Sequence, residues 1–516
     1  MQTQVTFISD RWLQFIAYTI TAIFLLGFVY SPLGVWTGAI LGAWFIGTQR
    51  PWRGLILLAG INTVLGLFGI WREFQQKGVL YAGWTVLAIL ISTLPFFLYR
   101  LVTQRRPGFL ATLSLPLWGV VLLDMEHRFM PARISSLYSL AQSRAGYPPF
   151  ARLAAALGPG AVLFFVYWFA AVMVWMWNHE FQARKIATGA SVFGAVCVVA
   201  AAYGFFPRVL GSVPARPQPA FPWICLAGGL ILSVWSFLQP SLRREAWANK
   251  TAAVALLQSP YTGNALHVLT EGERETLVSS SGERFCIRDA IPVFVEPEKL
   301  TGTNQKYNHL YETIGGFYDD SQRVGCAWQG FHTREYYQTY LGWLEIKPGD
   351  LALETSVGTG LNFKYLPRGV KLFGLDLSAE MLANCQANLR RWELDADLFL
   401  GNAEELPFAS NSFDVVYHVG GINFFNDRAK AIREMIRVAK PGTRILIADE
   451  TEKHVKDTYE RIPITRGYFK DRQDAVSAPI DLVPPEMQEI HLEFLHDGRF
   501  YLLTFCKPAA AVADLG

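Results

Sequence analysis

The apolar residues fall into two patterns that change over near residue 240. Before it, long runs of Leu, Ile, Val, Ala, Phe and Trp follow one another near 12–30, 33–48, 54–71, 79–99, 108–124, 158–177, 186–205 and 222–239. Each approaches the roughly 20 apolar residues that cross a bilayer as a helix. None shows the polar face that a buried helix of a water-soluble domain would carry, so residues 1–240 read as an all-α polytopic membrane bundle of about eight spans. The first run has no small-residue cleavage site and the next follows at once, unlike a cleaved signal peptide. After 250 the apolar runs shorten and alternate with helical periodicity. The pattern predicts a strand at Leu351–Leu353, a glycine turn, a helix, and a second strand ending at Asp376. It predicts a further strand at Val415–Val416, a helix over Asp427–Val438 and a closing hairpin, Met487–Leu495 with Phe500–Phe505, turning at His496-Asp497-Gly498. Residues 454–486 lack clear periodicity and read as a lid or membrane-facing insertion over the substrate.

Charge sharpens the division. Most acidic residues follow Glu271, and a net charge of +3 over 516 residues gives no footing for a nucleic-acid partner. In the apolar half, Arg50 and Arg53, Arg100, Arg105 and Arg106, Arg184 and Lys185, and Arg243, Arg244 and Lys250 follow even-numbered spans. That bias places both termini in the cytoplasm of an inner-membrane protein. A transporter would carry paired charges within its spans, and these runs lack them. Asp124, Glu126, His127 and Arg128 cluster at a membrane edge, where a functional site and a solvated helix end are both open readings. The six cysteines are scattered with no C-x-x-C, against a disulfide framework and against a cysteine-bound metal.

The chemistry concentrates in Leu351–Asp376. Gly358 and Gly360 let the backbone turn off the first strand and bring its N–H groups against a ligand. Asp376, ending the second strand, is placed to accept two hydrogen bonds from a ribose diol. A dinucleotide site would need a third glycine where Phe363 stands, so the pyrophosphate fingerprint fails. Further along come Gly401-Asn402-Ala403-Glu404-Glu405-Leu406-Pro407-Phe408, Ser412-Phe413-Asp414-Val415-Val416, and Arg433-Glu434-Met435 leading to Lys440-Pro441-Gly442-Thr443. Taken in order, residues 305–508 resemble the class I S-adenosylmethionine (SAM)-dependent methyltransferases, and most of all the ubiquinone/menaquinone C-methyltransferases. The resemblance implies an α/β Rossmann-like domain with a mostly parallel seven-stranded sheet and SAM as cofactor. It implies cofactor contacts from Glu354, Ser356, Gly358, Gly360, Asp376, Leu377, Asn402 and Ala403. Asn402 stands where the family usually has Asp. Asn304–Asp320 resembles the family's leading helix, with Tyr318 lying over the methionine end of SAM or packed in the core. His418, after the fourth strand, holds the position facing the methyl group, in a catalytic or a structural role; His332 and Glu450 are candidates of the same kind.

Two other stretches carry looser resemblances. Leu113–Met125, Ser135–Ser143 and Pro148–Phe165 are similar to the membrane part of apolipoprotein N-acyltransferases. The interval Pro207–Phe221 is too short for that family's nitrilase domain, so no acyl transfer is expected. Residues 250–298, with Leu256–Gly263 and Gly282–Pro297, resemble a small zinc-ribbon module. Ser259 and Thr262 replace its first cysteine pair, and the expectation is a metal-free β connector held by apolar packing alone. The whole reads as a multi-pass inner-membrane protein with a cytoplasmic methyltransferase domain acting on a lipophilic quinone, isoprenoid or lipid, without a metal. The alternative is a non-catalytic membrane scaffold or complex subunit carrying a degenerate methyltransferase module.

Overall fold

A computed structural model describes residues 32–49, 51–69, 79–106, 108–129, 160–179, 183–205, 220–238 and 246–509, apart from 273, 329–332, 462, 471 and 473–474. The predicted span 12–30, the segment Ser135–Ser143 and His332 lie outside these residues. The chain forms two compact units, one of residues 11–242 and one built mainly from residues 243–516.

In the first unit the helices Pro32–Thr48, Pro51–Gly69, Val79–Arg105, Ser114–Phe129, Gly160–Asn178, Ala183–Phe205 and Ala220–Leu238 coincide with the later seven predicted runs. Two stretches, Val86–Arg105 and Gly160–Asn178, are long and apolar enough to cross a membrane. Among the described residues, the further apolar stretches Ala39–Thr48, Phe109–Leu122, Ile186–Val198 and Phe221–Ser236 are shorter. Small and aromatic residues fill the interior, with Ala43, Ala170, Ala171 and Tyr167 buried. Trp168 Nε1 donates 3.1 Å to Thr112 Oγ1, which satisfies a polar group that would otherwise be stranded.

Among its described residues the second unit holds eleven strands. β1 (Leu266–Glu271), β2 (Arg274–Ser279), β3 (Arg284–Arg288) and β4 (Ile291–Pro292) form an antiparallel sheet in chain order. β5 (Leu351–Glu354), β6 (Lys371–Asp376), β7 (Ala396–Leu400), β8 (Val415–Val419), β9 (Arg444–Glu450), β10 (Gln488–Leu495) and β11 (Phe500–Cys506) form a seven-stranded sheet in the order β10-β11-β9-β8-β5-β6-β7. β5 to β9 run parallel, and the hairpin β10–β11 closes the far edge antiparallel to β9. The order reverses at β5, leaving a crevice outside the carboxyl ends of β5 and β8. Strand interiors such as Ala352, Leu353, Val416 and Ile447 are wholly buried, as central strands covered on both faces require.

Two expectations change. The segment after the glycine turn forms no α-helix, only a 3-10 turn at Phe363–Tyr365. Pro367 and Gly369 leave too few residues before β6 for a helix to propagate. Second, residues 246–298 share one core with the large sheet: Trp247, Leu257, Leu277, Phe285 and Phe294 pack with Phe373, Phe399, Phe408 and Phe413. Trp247 is fully buried at 5.5 Å from the Phe399 ring, and its Nε1 donates to Ala290 O. Apolar packing is also not alone there. Ser259 Oγ donates 2.8 Å to Glu283 Oε1, while Ser279, Ser281 and Thr262 hydroxyls donate to Oε2.

Candidate active site

The glycine turn is shaped by two acids on neighbouring strands. Glu354, wholly buried at the end of β5, accepts hydrogen bonds from Asn362 Nδ2 and Tyr417 Oη. Its carboxylate therefore points inward and braces the turn. Burial pushes its carboxyl well up, against the two donors. Asp376, half-buried at the end of β6, accepts from Gly358 N at 2.7 Å and Ser378 N at 2.9 Å. Burial pushes it up to about 6. Gly358 (φ +53°) and Gly360 (φ +77°) adopt the left-handed backbone the turn needs, and a Cβ at Gly360 would lie 2.7 Å from Cys385 Sγ.

Around this turn the edge keeps an open surface. Ser356, Gly358, Asp376, Leu377, Asn402, Gly420 and Gly421 are half-buried, while Thr355, Gly360, Ser378 and Ala403 between them are buried. A nucleoside diol would add hydroxyl donors on the half-exposed side of the Asp376 carboxylate, beyond the backbone N–H groups of Gly358, Leu377 and Ser378, so the residues fit SAM. Asn402 Oδ1 turns back to accept from Glu404 N at 3.0 Å, which leaves its amide NH2 as the outward group. Leu377 O accepts from Asn308 Nδ2 at 2.7 Å, tying the helix Gly302–Ile314 to the end of β6.

Tyr318 begins the helix Tyr318–Trp328 and meets Tyr311 edge-on at 6.2 Å. Burial raises both hydroxyls far above the usual tyrosine range, and both feel the charges of Asp376 and Glu450. Next to Tyr318, Asp319 accepts from Thr359 Oγ1 and from Asn388 Nδ2, locking that helix to the glycine turn.

On the other side of β5, His418 lies within β8, wholly buried, with Nδ1 3.0 Å from Thr355 Oγ1 and the ring edge-on to Phe425. Burial pushes it down to about 3, so the ring is neutral at physiological pH. The end of β9 supplies a buried pair. Asp449 accepts from Gly421 N, Asn423 N and Asn423 Nδ2 within 3.1 Å and fixes the loop after β8. Glu450, half-buried, accepts from Tyr459 Oη at 2.6 Å. Burial and Glu450 push Asp449 well up. Burial raises Glu450 too, but Asp449, His454 and Tyr459 outweigh it and hold Glu450 below its usual range. Glu450 is therefore ionised near neutral pH.

The segment after β9 folds back as a helical turn Glu452–His454, a π-turn Val455–Tyr459 and a helix Pro463–Phe469. Tyr468, Phe469 and Val455 pack with Tyr307, Leu310 and Phe424, the Tyr307–Phe424 rings stacking at 4.3 Å. Asn362, Tyr417, Asp319, Asn388, Asp449 and Tyr459 are the site residues that sequence reasoning passed over. Asp449 alone carried a readable signal, an acid ending an apolar run as Asp376 does; the others acquire their roles only through tertiary contact.

This strand order, glycine turn and strand-end acid define the class: residues 353–447 match the family model described as Methyltransferase domain. The domain has the class I SAM-dependent methyltransferase fold, and SAM is the cofactor of that class. Among curated proteins, the chain is 36% identical over 141 residues to a demethylmenaquinone methyltransferase of Renibacterium salmoninarum, covering 27% of this chain and 56% of that protein. It is 28% identical to the ubiquinone/menaquinone biosynthesis C-methyltransferase UbiE of Geotalea daltonii, over 33% of this chain and 77% of that one. A demethylmenaquinone methyltransferase of Paenarthrobacter aurescens is 36% identical over 23% of this chain and 45% of its own length, so the chain spans about half the length of several curated relatives it matches. Among solved structures, a SAM-dependent methyltransferase of Thermotoga maritima is similar at 19% identity and a TM-score of 0.30, covering 39% of this chain and 98% of that one.

Proposed function

We propose that this protein transfers a methyl group from SAM to a lipophilic hydroxylated ring of the quinol type, at the cytoplasmic face of an inner membrane in which residues 11–242 are embedded. The observation that carries the reading is the half-buried Asp376 gripping the left-handed Gly358 turn, its carboxylate accepting from Gly358 N and Ser378 N. SAM supplies the methyl as a sulfonium. Gly358, Asp376, Leu377, Asn402 and Ala403 hold its nucleoside, with Asn402 donating where an aspartate would accept. Tyr318 and Tyr311 wall the acceptor space. Positioning supplies most of the rate in such in-line displacements. As an acceptor carbon or oxygen takes the methyl and the carbon–sulfur bond breaks, the acceptor's hydroxyl proton passes to Glu450. His418, neutral and pinned to Thr355, shapes the wall and moves no proton.

Membrane embedding is supported by large apolar side chains left exposed on the helical unit, among them Trp52, Ile56, Trp223, Ile224 and Ile231 at 65% or more. The relatives' printed activities support a quinone-like acceptor. Titration calorimetry of the full chain with S-adenosylhomocysteine tests the core of the proposal. Micromolar binding abolished by Asp376→Ala is the expected result. Absence of binding by the parent protein would favour the scaffold reading.

A further inference from the structure

The loop that carries Asn402 and Ala403 is held at both shoulders by the amino-terminal β module. On the upstream side, Phe294 N donates 2.8 Å to Leu400 O, beside a parallel bridge from Val293 to Leu400. On the downstream side, Gln258 N donates 3.0 Å to Pro407 O and Ala409 N donates 2.8 Å to Leu256 O, around an antiparallel bridge from Leu257 to Phe408. Both arms converge on the turn Ser259-Pro260-Tyr261-Thr262. Gln258 precedes it directly, and Tyr261 Oη donates 2.8 Å to Phe294 O. The turn is closed by the Glu283 carboxylate, which collects the Ser259, Thr262, Ser279 and Ser281 hydroxyls. Ser259 is wholly buried, and its Oγ also accepts from Tyr261 N and Thr262 N at 3.2 Å.

We infer that residues 250–298 are a positioning element for the cofactor, in which the Glu283 hydroxyl cluster sets the geometry of the 401–407 loop that receives the adenine. The inference rests on the SAM reading for its ligand, but the mechanical link from Glu283 to the loop stands by itself. The loop has other anchors: Glu404 Oε1 accepts from Asn304 Nδ2 and Asn426 N, and Glu434 Oε2 accepts from Leu406 N. Loosening the module therefore weakens cofactor binding without abolishing it.

The test is Glu283→Gln in the full chain, which keeps the shape but replaces an acceptor oxygen by a donor NH2 facing the hydroxyls. Two readouts are needed, hydrogen–deuterium exchange and S-adenosylhomocysteine affinity by calorimetry. The expected result is faster exchange at 256–262 and at 401–409, with affinity weakened about 5- to 10-fold, the loss of roughly one net hydrogen bond's stabilisation. Glu271→Gln, an exposed ion-pair change on the same sheet, is the control and should alter neither. The inference is overturned if exchange rises at 256–262 while 401–409 and the affinity stay as in the parent, or if Glu283→Gln loosens nothing. If that variant fails to fold, Thr262→Val removes a single donor and is read the same way. Should the parent not bind S-adenosylhomocysteine, the cofactor reading fails, and the exchange coupling between the two segments alone decides the positioning claim.

Discussion

Asp376 and Asp449 use one device at two places on the same sheet edge. Asp376 ends β6 and Asp449 is the last residue but one of β9, and each gathers backbone N–H groups that include a loop glycine: Gly358 with Ser378 for the first, Gly421 with Asn423 for the second. They differ in exposure. Asp376 is half-buried, with capacity left toward solvent; Asp449 is fully buried, with its donors all internal. An acid in the first condition can serve a ligand. One in the second serves the fold, and leaves the charge for ligand chemistry to its neighbour Glu450.

The hardest test of that contrast is Asp449→Ala. It leaves the Gly421 and Asn423 donors without their shared buried acceptor, and should cost about 2–3 kcal/mol of stability in chemical denaturation. If the variant folds normally yet loses activity, the two acids have been assigned the wrong way round. Next comes Asp376→Ala, expected to reduce S-adenosylhomocysteine affinity by about 100-fold or more through two lost charge-assisted hydrogen bonds, with a modest effect on melting. The pH dependence sharpens the same point. The folded carboxyl sits at about 6, above its ordinary value, so the folded state binds the extra proton between roughly pH 4 and 6. Asp376 therefore favours folding at the acid end of that window, and this contribution is lost as pH rises through about 6. Cofactor affinity should run the other way and fall as pH drops below about 6 in calorimetric titrations, because the ribose diol needs the ionised acceptor. Asp376→Asn should flatten both trends.

Smaller effects belong to the far side of the edge. Glu450→Gln should lower kcat roughly 100-fold while leaving S-adenosylhomocysteine affinity unchanged, the lower end of what one general base contributes. The smallest change is expected from His418→Asn. A ring held neutral down to about pH 3 contributes no titration near neutrality, so the acid limb of the rate profile should stay where it is. A shift of that limb would restore His418 to the proton path.

The turn at 351–376 was legible because its physics is local. Glycines at Gly358 and Gly360 and an acid ending the next apolar run are set by backbone needs within one unit, and Ser378 capping Met381 N at 3.1 Å is just as local. The hairpin β10–β11 was legible for the same reason, with His496, Asp497 and Gly498 all left-handed at its turn. What escaped was contact between distant segments. Thr359 and Asn388 meet Asp319 across many residues of chain, and Glu283 finds Ser259 from a separate hairpin. The missing helix after Gly360 escaped because an apolar run that suits a helix was cut short by Pro367. The helix Pro32–Thr48, at 17 residues, was legible in both its apolar character and its shortness, since both lie within one run of the chain.

Trp247 sets where the catalytic half can be cut. Its buried indole packs behind Phe399, and Leu257, Leu277, Phe285 and Phe294 share that core with Phe408 and Phe413. A fragment beginning near residue 300 would retain every motif and still open the back of the sheet to water, so the shortest autonomous enzyme must begin ahead of the tryptophan.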